Sequence, residues 1–111
     1  MSKQIEFEYE GKTYTLEYNR AAIKFMESRG FSFEKWSTAP ASMIEMAFEG
    51  AFYKNHKNIS IAKITEIYEK MSDKKVLNDT LAEMIADSYT ELFGDNEEEE
   101  GEGKNIGWKT V

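Results

Sequence analysis

The 111-residue sequence has no cysteine, only one proline and only one histidine. The absence of cysteine excludes disulfides, thiolate metal ligands and catalysis by a cysteine nucleophile. No apolar run approaches the ~18 residues that a membrane-spanning helix needs, so no membrane partner is expected. The polar first residues also differ from a signal peptide.

Charge of one sign dominates the chain, with 21 acidic and 14 basic side chains and a net charge of -7. This balance argues against a nucleic-acid partner, because phosphate contacts need clustered Lys and Arg. The length favours a single domain. The composition changes after Gly94, where acidic residues replace apolar ones. We therefore expect a folded domain over residues 1–94 and a disordered acidic tail over residues 95–111.

A β-hairpin is predicted over residues 5–18. Apolar and polar residues alternate along residues 5–9 and again along residues 13–18, with Gly11 between the two runs. A period of two is typical of strands, and glycine accepts the positive φ that tight hairpin turns require. Because a lone hairpin is marginal in water, its apolar face has to lie on another element.

From Asn19 onward the apolar residues recur at helical spacing, which predicts about four helices over residues 19–94. Asn19 and Ser60 are suited to cap helices, and Pro40 is suited to a first turn. The last helix is expected to bury a stripe of Val76, Leu77, Leu81, Met84, Ile85, Tyr89, Leu92 and Phe93. The predicted fold class is α+β, a hairpin followed by a helical bundle.

Motifs that would indicate an enzyme are missing. His56 lies in a polar Asn-His-Lys-Asn segment, and we interpret it as a solvent-facing loop residue rather than a catalytic base. Neither glycine-rich phosphate-binding motif occurs. Counted from Asp95, the sixth and twelfth positions are Glu100 and Ile106, not the Gly and Glu of a calcium loop. We expect no catalytic site, no cofactor and no metal site.

An interaction module is the remaining interpretation. An apolar helix stripe is more often core than interface, but the stripe that begins at Pro40 is broad. The hairpin also offers an edge to which another chain can pair. The candidate partner-binding residues are Tyr14, Leu16, Phe48, Phe52 and Tyr53.

The order of these features is similar to that of a known family. They are the hairpin of residues 5–18, the Asn19-Arg20-Ala21-Ala22-Ile23 start of the first helix, the Phe48-Glu49-Gly50-Ala51-Phe52 helical segment and the acidic tail. Residues 5–94 resemble the small tail assembly chaperones of long-tailed bacteriophages that infect Gram-positive hosts.

The resemblance implies a non-catalytic protein of the host cytoplasm that is absent from the finished virion. Such chaperones coat the tape measure protein and help to recruit tail tube subunits. Many of them occur in a short form and a longer frameshifted form, and this chain would be the short one. Self-association into a homo-oligomer is a further expectation.

Two alternatives from other classes stay open. One is a virion structural protein, such as a head–tail connector, which would occur in purified particles. The other is an acidic inhibitor that mimics nucleic acid, although the densest carboxylates lie in the predicted tail rather than on a rigid surface.

Overall fold

The computed structural model describes residues 3–93. Its N-terminal part is an antiparallel hairpin of two strands, and helices follow to the end of the described residues. The elements are β1 (Ile5–Tyr9), β2 (Lys12–Leu16), α1 (Arg20–Ser28), a short 3₁₀ helix (Phe33–Trp36), α2 (Pro40–Ala51), α3 (Ile61–Lys70) and α4 (Lys74–Phe93). The predicted α+β fold is confirmed. The predicted disordered tail, residues 95–111, lies outside the described residues.

The hairpin turn has two residues, both in the left-handed region. Glu10 has a φ of 52° and Gly11 a φ of 80°, which are the signs that a type I′ turn requires. Tyr9 therefore lies opposite Lys12, and the register continues to Ile5 opposite Leu16.

Hydrogen bonds connect β2 and the residue after it to the C-terminal end of α2 and the loop that follows α2. The backbone N–H of Glu17 donates to the carbonyl of Ala51 at 3.1 Å. The side-chain amide of Asn55 donates to the carbonyl of Thr15, also at 3.1 Å. These contacts hold the apolar face of the hairpin against the helices. An isolated two-stranded hairpin is only marginally stable in water, so it needs this packing.

The helix starts follow the predicted capping chemistry. The Asn19 side chain accepts the backbone N–H of Ala22 at 2.8 Å, and the Ser60 hydroxyl accepts that of Lys63 at 3.1 Å. Pro40 occupies the first turn of α2. Each cap satisfies an amide that has no partner within its own helix.

Helix α2 lies at the centre of the fold and contacts α1, α3, α4 and the 3₁₀ helix. This position explains its broad apolar stripe, because neighbours cover it on several sides. Its Gly50 lies so close to α1 that an added Cβ would be 2.3 Å from Sδ of Met26. Glycine at this position allows the two helices to pack closely.

Two apolar residues of α3 and α4 are exposed, and one of them, Val76, was predicted to lie on a buried stripe. Val76 in α4 is 63% exposed and Ile61 at the start of α3 is 49% exposed. Adjacent helical residues lie about 100° apart around the axis, so Val76 cannot face the same neighbours as the buried Leu77.

Candidate functional site

Four of the five predicted partner-binding residues belong to the core. Leu16 is fully buried, Phe48 and Phe52 are 1% exposed, and Tyr14 is 6% exposed. Their rings pack on one another: Phe48 and Phe52 meet edge to face with centroids 5.2 Å apart, and Tyr14 meets Phe52 at 5.8 Å. In this conformation they do not form the partner-facing surface that the sequence suggested.

Tyr53 is the member of that set with accessible surface. Its half-buried ring stacks on Phe25 of α1 with centroids 4.7 Å apart. The ammonium of Lys57 lies 5.1 Å from the centre of the same ring. Tyr53 thus packs between α1 and the loop that follows α2.

A groove of about 410 Å³ lies between α2 and α3 in the described part of the chain. Phe48 and Ile64 line it, although each exposes little surface. Ile44 of α2 and Tyr68 of α3, both half-buried, are also in its wall. We name this feature the α2–α3 groove.

Packing and hydrogen bonding hold the Tyr68 wall in place. The Tyr68 ring meets Phe48 edge to face, with centroids 5.1 Å apart. Its hydroxyl donates to Oδ1 of Asn78 on α4 at 2.8 Å, and the ammonium of Lys74 lies 5.5 Å from the ring centre. Because α2, α3 and α4 all hold this side chain, the groove is preformed.

Acidic side chains surround the apolar lining. Glu45 of α2 and Glu69 of α3 are exposed, and Glu49 is buried. The Glu49 carboxylate is neutralised by an ion pair with Arg29, whose own side chain is 41% exposed. Glu45 and Glu69 form no ion pair with another residue of the range 3–93, so within this range they carry the uncompensated negative charge at the groove.

The groove can make two kinds of contact with a ligand. Its lining offers apolar contact area, and its rim offers carboxylates to a cation. Within residues 3–93 no three side chains of the His, Asp or Glu types are arranged to hold a metal ion. The groove fits an apolar side chain whose neighbours carry positive charge.

His56 has a role that its sequence context did not indicate. The predicted loop position is confirmed, but the side chain is half-buried rather than solvent-facing. Its ring lies 5.0 Å from the Tyr14 ring and accepts a backbone hydrogen bond from β2. The polar neighbours of His56 in sequence carry no signal of this contact.

The sequence indicated the α2–α3 groove only in part. Ile44 and Phe48 are four residues apart, as are Glu45 and Glu49, so each pair lies on one side of α2. Nothing in α2 indicates that α3 lies alongside it.

Comparison with known proteins gives one match. The family described as "Domain of unknown function (DUF5055)" matches residues 1–111. Neither the curated proteins nor the solved structures include a match to the chain. Among the described residues, no helix combines the length and apolar character needed to cross a membrane.

Proposed function

The chain belongs to the DUF5055 family, and we propose that it is a non-catalytic phage tail assembly chaperone that holds a segment of a larger protein partner. The α2–α3 groove is the observation that carries this proposal. The resemblance of residues 5–94 to tail assembly chaperones supplies the biological setting.

The proposed occupant of the groove is an amphipathic helix of the tape measure protein. A helix presents apolar side chains at intervals of three and four residues, and one of these side chains would contact Phe48, Ile64 and Tyr68. Lys or Arg residues beside it would face Glu45 and Glu69. Such contacts would shield an aggregation-prone client, while the net charge of -7 keeps the complex in solution.

The proposal that the chain is a tail assembly chaperone also covers its other partners, its self-association, its location and its need for cofactors. Tail tube subunits would be recruited to the chaperone-bound client, and copies of the chaperone would associate along it. The protein would act in the host cytoplasm and leave before the virion is complete. It would need no cofactor, since holding a client involves no covalent step.

Co-expression with the tape measure protein encoded in the same genome tests this function. We expect the two proteins to co-purify and the soluble yield of the tape measure protein to rise. The double variant Glu45→Lys/Glu69→Lys should lose most of this capture, because it places positive charge opposite the cations of the client.

A matched control separates groove charge from net charge. Glu34 is exposed on the 3₁₀ helix and does not line the groove, so Glu34→Lys should leave capture unchanged. Glu45→Lys alone changes the net charge by the same amount and should weaken capture. Recovery of the chain in finished particles, without capture of the tape measure protein, would favour the virion structural alternative instead.

A further inference from the structure

The backbone groups on the outer edge of β1 belong to Glu6 and Glu8. In a hairpin with a two-residue turn the flanking residues, here Tyr9 and Lys12, form a hydrogen-bonded pair. Such pairs alternate with non-hydrogen-bonded pairs along an antiparallel ladder. Glu8 opposite Thr13 and Glu6 opposite Thr15 are therefore the pairs whose N–H and C=O groups point away from the partner strand.

Contacts on the other side of the hairpin confirm this alternation. Thr15 uses its N–H and its C=O for His56 and Asn55, both beyond the outer edge of β2. Since Thr15 directs its backbone groups outward, its partner Glu6 does the same on the opposite side.

The two edges of the hairpin differ in how they are covered. The β2 edge is closed by Ala51, Asn55 and His56. Over residues 3–93, by contrast, no backbone group of Glu6 or Glu8 hydrogen-bonds to a helix or loop, and both side chains are exposed. The β1 edge therefore has outward backbone donors and acceptors available for a further strand.

The apolar face of the hairpin is also incompletely covered on the β1 side. Tyr14 and Leu16 of β2 are buried, whereas Ile5, Phe7 and Tyr9 of β1 are only half-buried. An additional strand next to β1 would place its own apolar side chains beside these three residues. Within the described residues, the β1 edge is therefore where both the burial of apolar side chains and the backbone pairing of the hairpin end.

Charge determines which strand fits this edge. Glu6 and Glu8 point to one face, so a strand paired with β1 would place alternate residues directly beside them. In a two-fold symmetric dimer through β1, each of these carboxylates would lie opposite a glutamate of the other copy. Like charges directly opposite one another destabilise a sheet, which disfavours a second copy of this chain.

We propose that β1 accepts a third strand from a protein partner whose extended segment alternates apolar residues with Lys or Arg. The cationic side chains would lie next to Glu6 and Glu8, and the apolar ones next to Ile5, Phe7 and Tyr9. Backbone hydrogen bonds would supply affinity, and the alternation would supply specificity. This surface is separate from the α2–α3 groove and does not depend on the function proposed for it.

Fluorescence anisotropy with two labelled peptides tests the proposal on the full chain. One peptide alternates Val with Lys, and the other alternates Val with Glu. We expect the Lys peptide to bind at least about tenfold more tightly than the Glu peptide. The double variant Glu6→Lys/Glu8→Lys should reverse this preference.

A pair of variants at one position separates backbone pairing from charge. Glu8→Ala removes the carboxylate but keeps the outward N–H, whereas Glu8→Pro removes both. Proline is tolerated on an edge strand when its nitrogen faces solvent, so the hairpin ladder should persist. Glu8→Pro should bind the Lys peptide at least about tenfold more weakly than Glu8→Ala.

A measurement on the wild-type chain covers the case in which Glu8→Pro fails to fold. The amide protons of Glu6 and Glu8 should gain hydrogen-exchange protection when the Lys peptide is added. Equal affinity for both peptides, or no protection at these amides, would overturn the proposal. In Glu45→Lys/Glu69→Lys the Lys peptide should still protect the amides of Glu6 and Glu8, which distinguishes this edge from the groove.

Discussion

The imidazole of His56 accepts a hydrogen bond from the backbone N–H of Thr15, with Nε2 and the amide nitrogen 3.1 Å apart. The same ring lies 5.0 Å from the ring of Tyr14 and 6.2 Å from that of Phe52. His56 therefore joins the outer edge of β2 to the loop after α2 through both a polar and an aromatic contact. It fixes where the hairpin lies on the helices.

This contact predicts a pH-dependent stability. Partial burial and the positive charge of Lys12 lower the pKa of His56 below its ordinary value, and Nε2 accepts a hydrogen bond only while it is unprotonated. Because the folded-state pKa is the lower one, this stabilisation is fully present above the unfolded-state value of 6.5. It is lost as the pH falls through the folded-state value. We expect Tm to decrease between about pH 7.5 and about pH 5.5.

His56→Gln is the matched variant for this pH effect. Its amide can accept the Thr15 N–H but does not titrate, so its Tm should vary less than that of the wild type over the same pH range. Removing the acceptor with His56→Ala should cost about 1 kcal/mol. Parallel Tm curves for the wild type and His56→Gln would contradict the assigned role of the imidazole.

Truncation of the central aromatic residue of α2 should be strongly destabilising. Phe48 is 1% exposed and packs on Phe52 and Tyr68. We expect Phe48→Ala to lower the free energy of unfolding by about 3–5 kcal/mol in urea titrations. Phe48→Asp and Leu16→Asp should abolish folding, since each would bury an unpaired charge. Val76→Ala, at an exposed site in α4, is the control that should change stability little.

Gly50→Ala should destabilise the protein although alanine is the better helix former. The new methyl would meet Met26, whose side chain is 1% exposed. Overpacking should cost about 1–3 kcal/mol and the better helix propensity of alanine should offset about 1 kcal/mol of it, so we expect a net loss of up to about 2 kcal/mol. In a Met26→Ala background the same substitution should cost less or stabilise, and a double-mutant cycle by urea unfolding measures that coupling. Additive effects would show that the two side chains do not compete for space.

A new carboxylate beside Glu17 should destabilise the attachment of the hairpin. Burial acts to raise the pKa of Glu17, but hydrogen bonds from Asn55, Gln4 and Lys54 outweigh it and lower the pKa. Asn55→Asp replaces a donor 2.9 Å from the Glu17 carboxylate with a second negative charge. We expect a loss of about 1–3 kcal/mol at neutral pH.

Asn55→Ala is the control, because it removes the donor without adding charge. It should cost less than Asn55→Asp at neutral pH. Repulsion raises the pKa of one of the two carboxyls, so lowering the pH toward about 4 should protonate it and reduce the difference between the variants. A difference in Tm that stays constant with pH would argue against repulsion between the carboxylates.

Local chemistry made much of the fold predictable. The alternation of residues 5–9 and 13–18 indicated the hairpin, and Gly11 occurs in its positive-φ turn. Asn19 and Ser60 cap the helices that their sequence context predicted. These features depend on neighbours a few residues away, so a single sequence is enough to identify them.

The candidate site was less predictable because an apolar stripe has the same appearance whether it faces a core or a partner. Phe48 and Phe52 were assigned to a partner surface, yet both side chains are buried, Phe48 against Tyr68 of α3 and Phe52 against Tyr14 of β2. The exposed acidic rim of Glu45 and Glu69 joins residues from two helices, and periodicity within either helix carries no information on their proximity.

The sequence by itself determined the hairpin, the helix starts, the absence of thiol chemistry and the excess of negative charge, since each depends on residue type and short-range spacing. Tertiary structure decided which apolar face became core, that α2 and α3 form a groove, and that His56 reaches a strand 41 positions away in the chain. Among residues 3–93 it also covered the β2 edge of the hairpin with hydrogen-bond partners and gave the β1 edge none. These outcomes depend on how the elements pack together, because burial and hydrogen-bond partners are set by side chains distant in sequence.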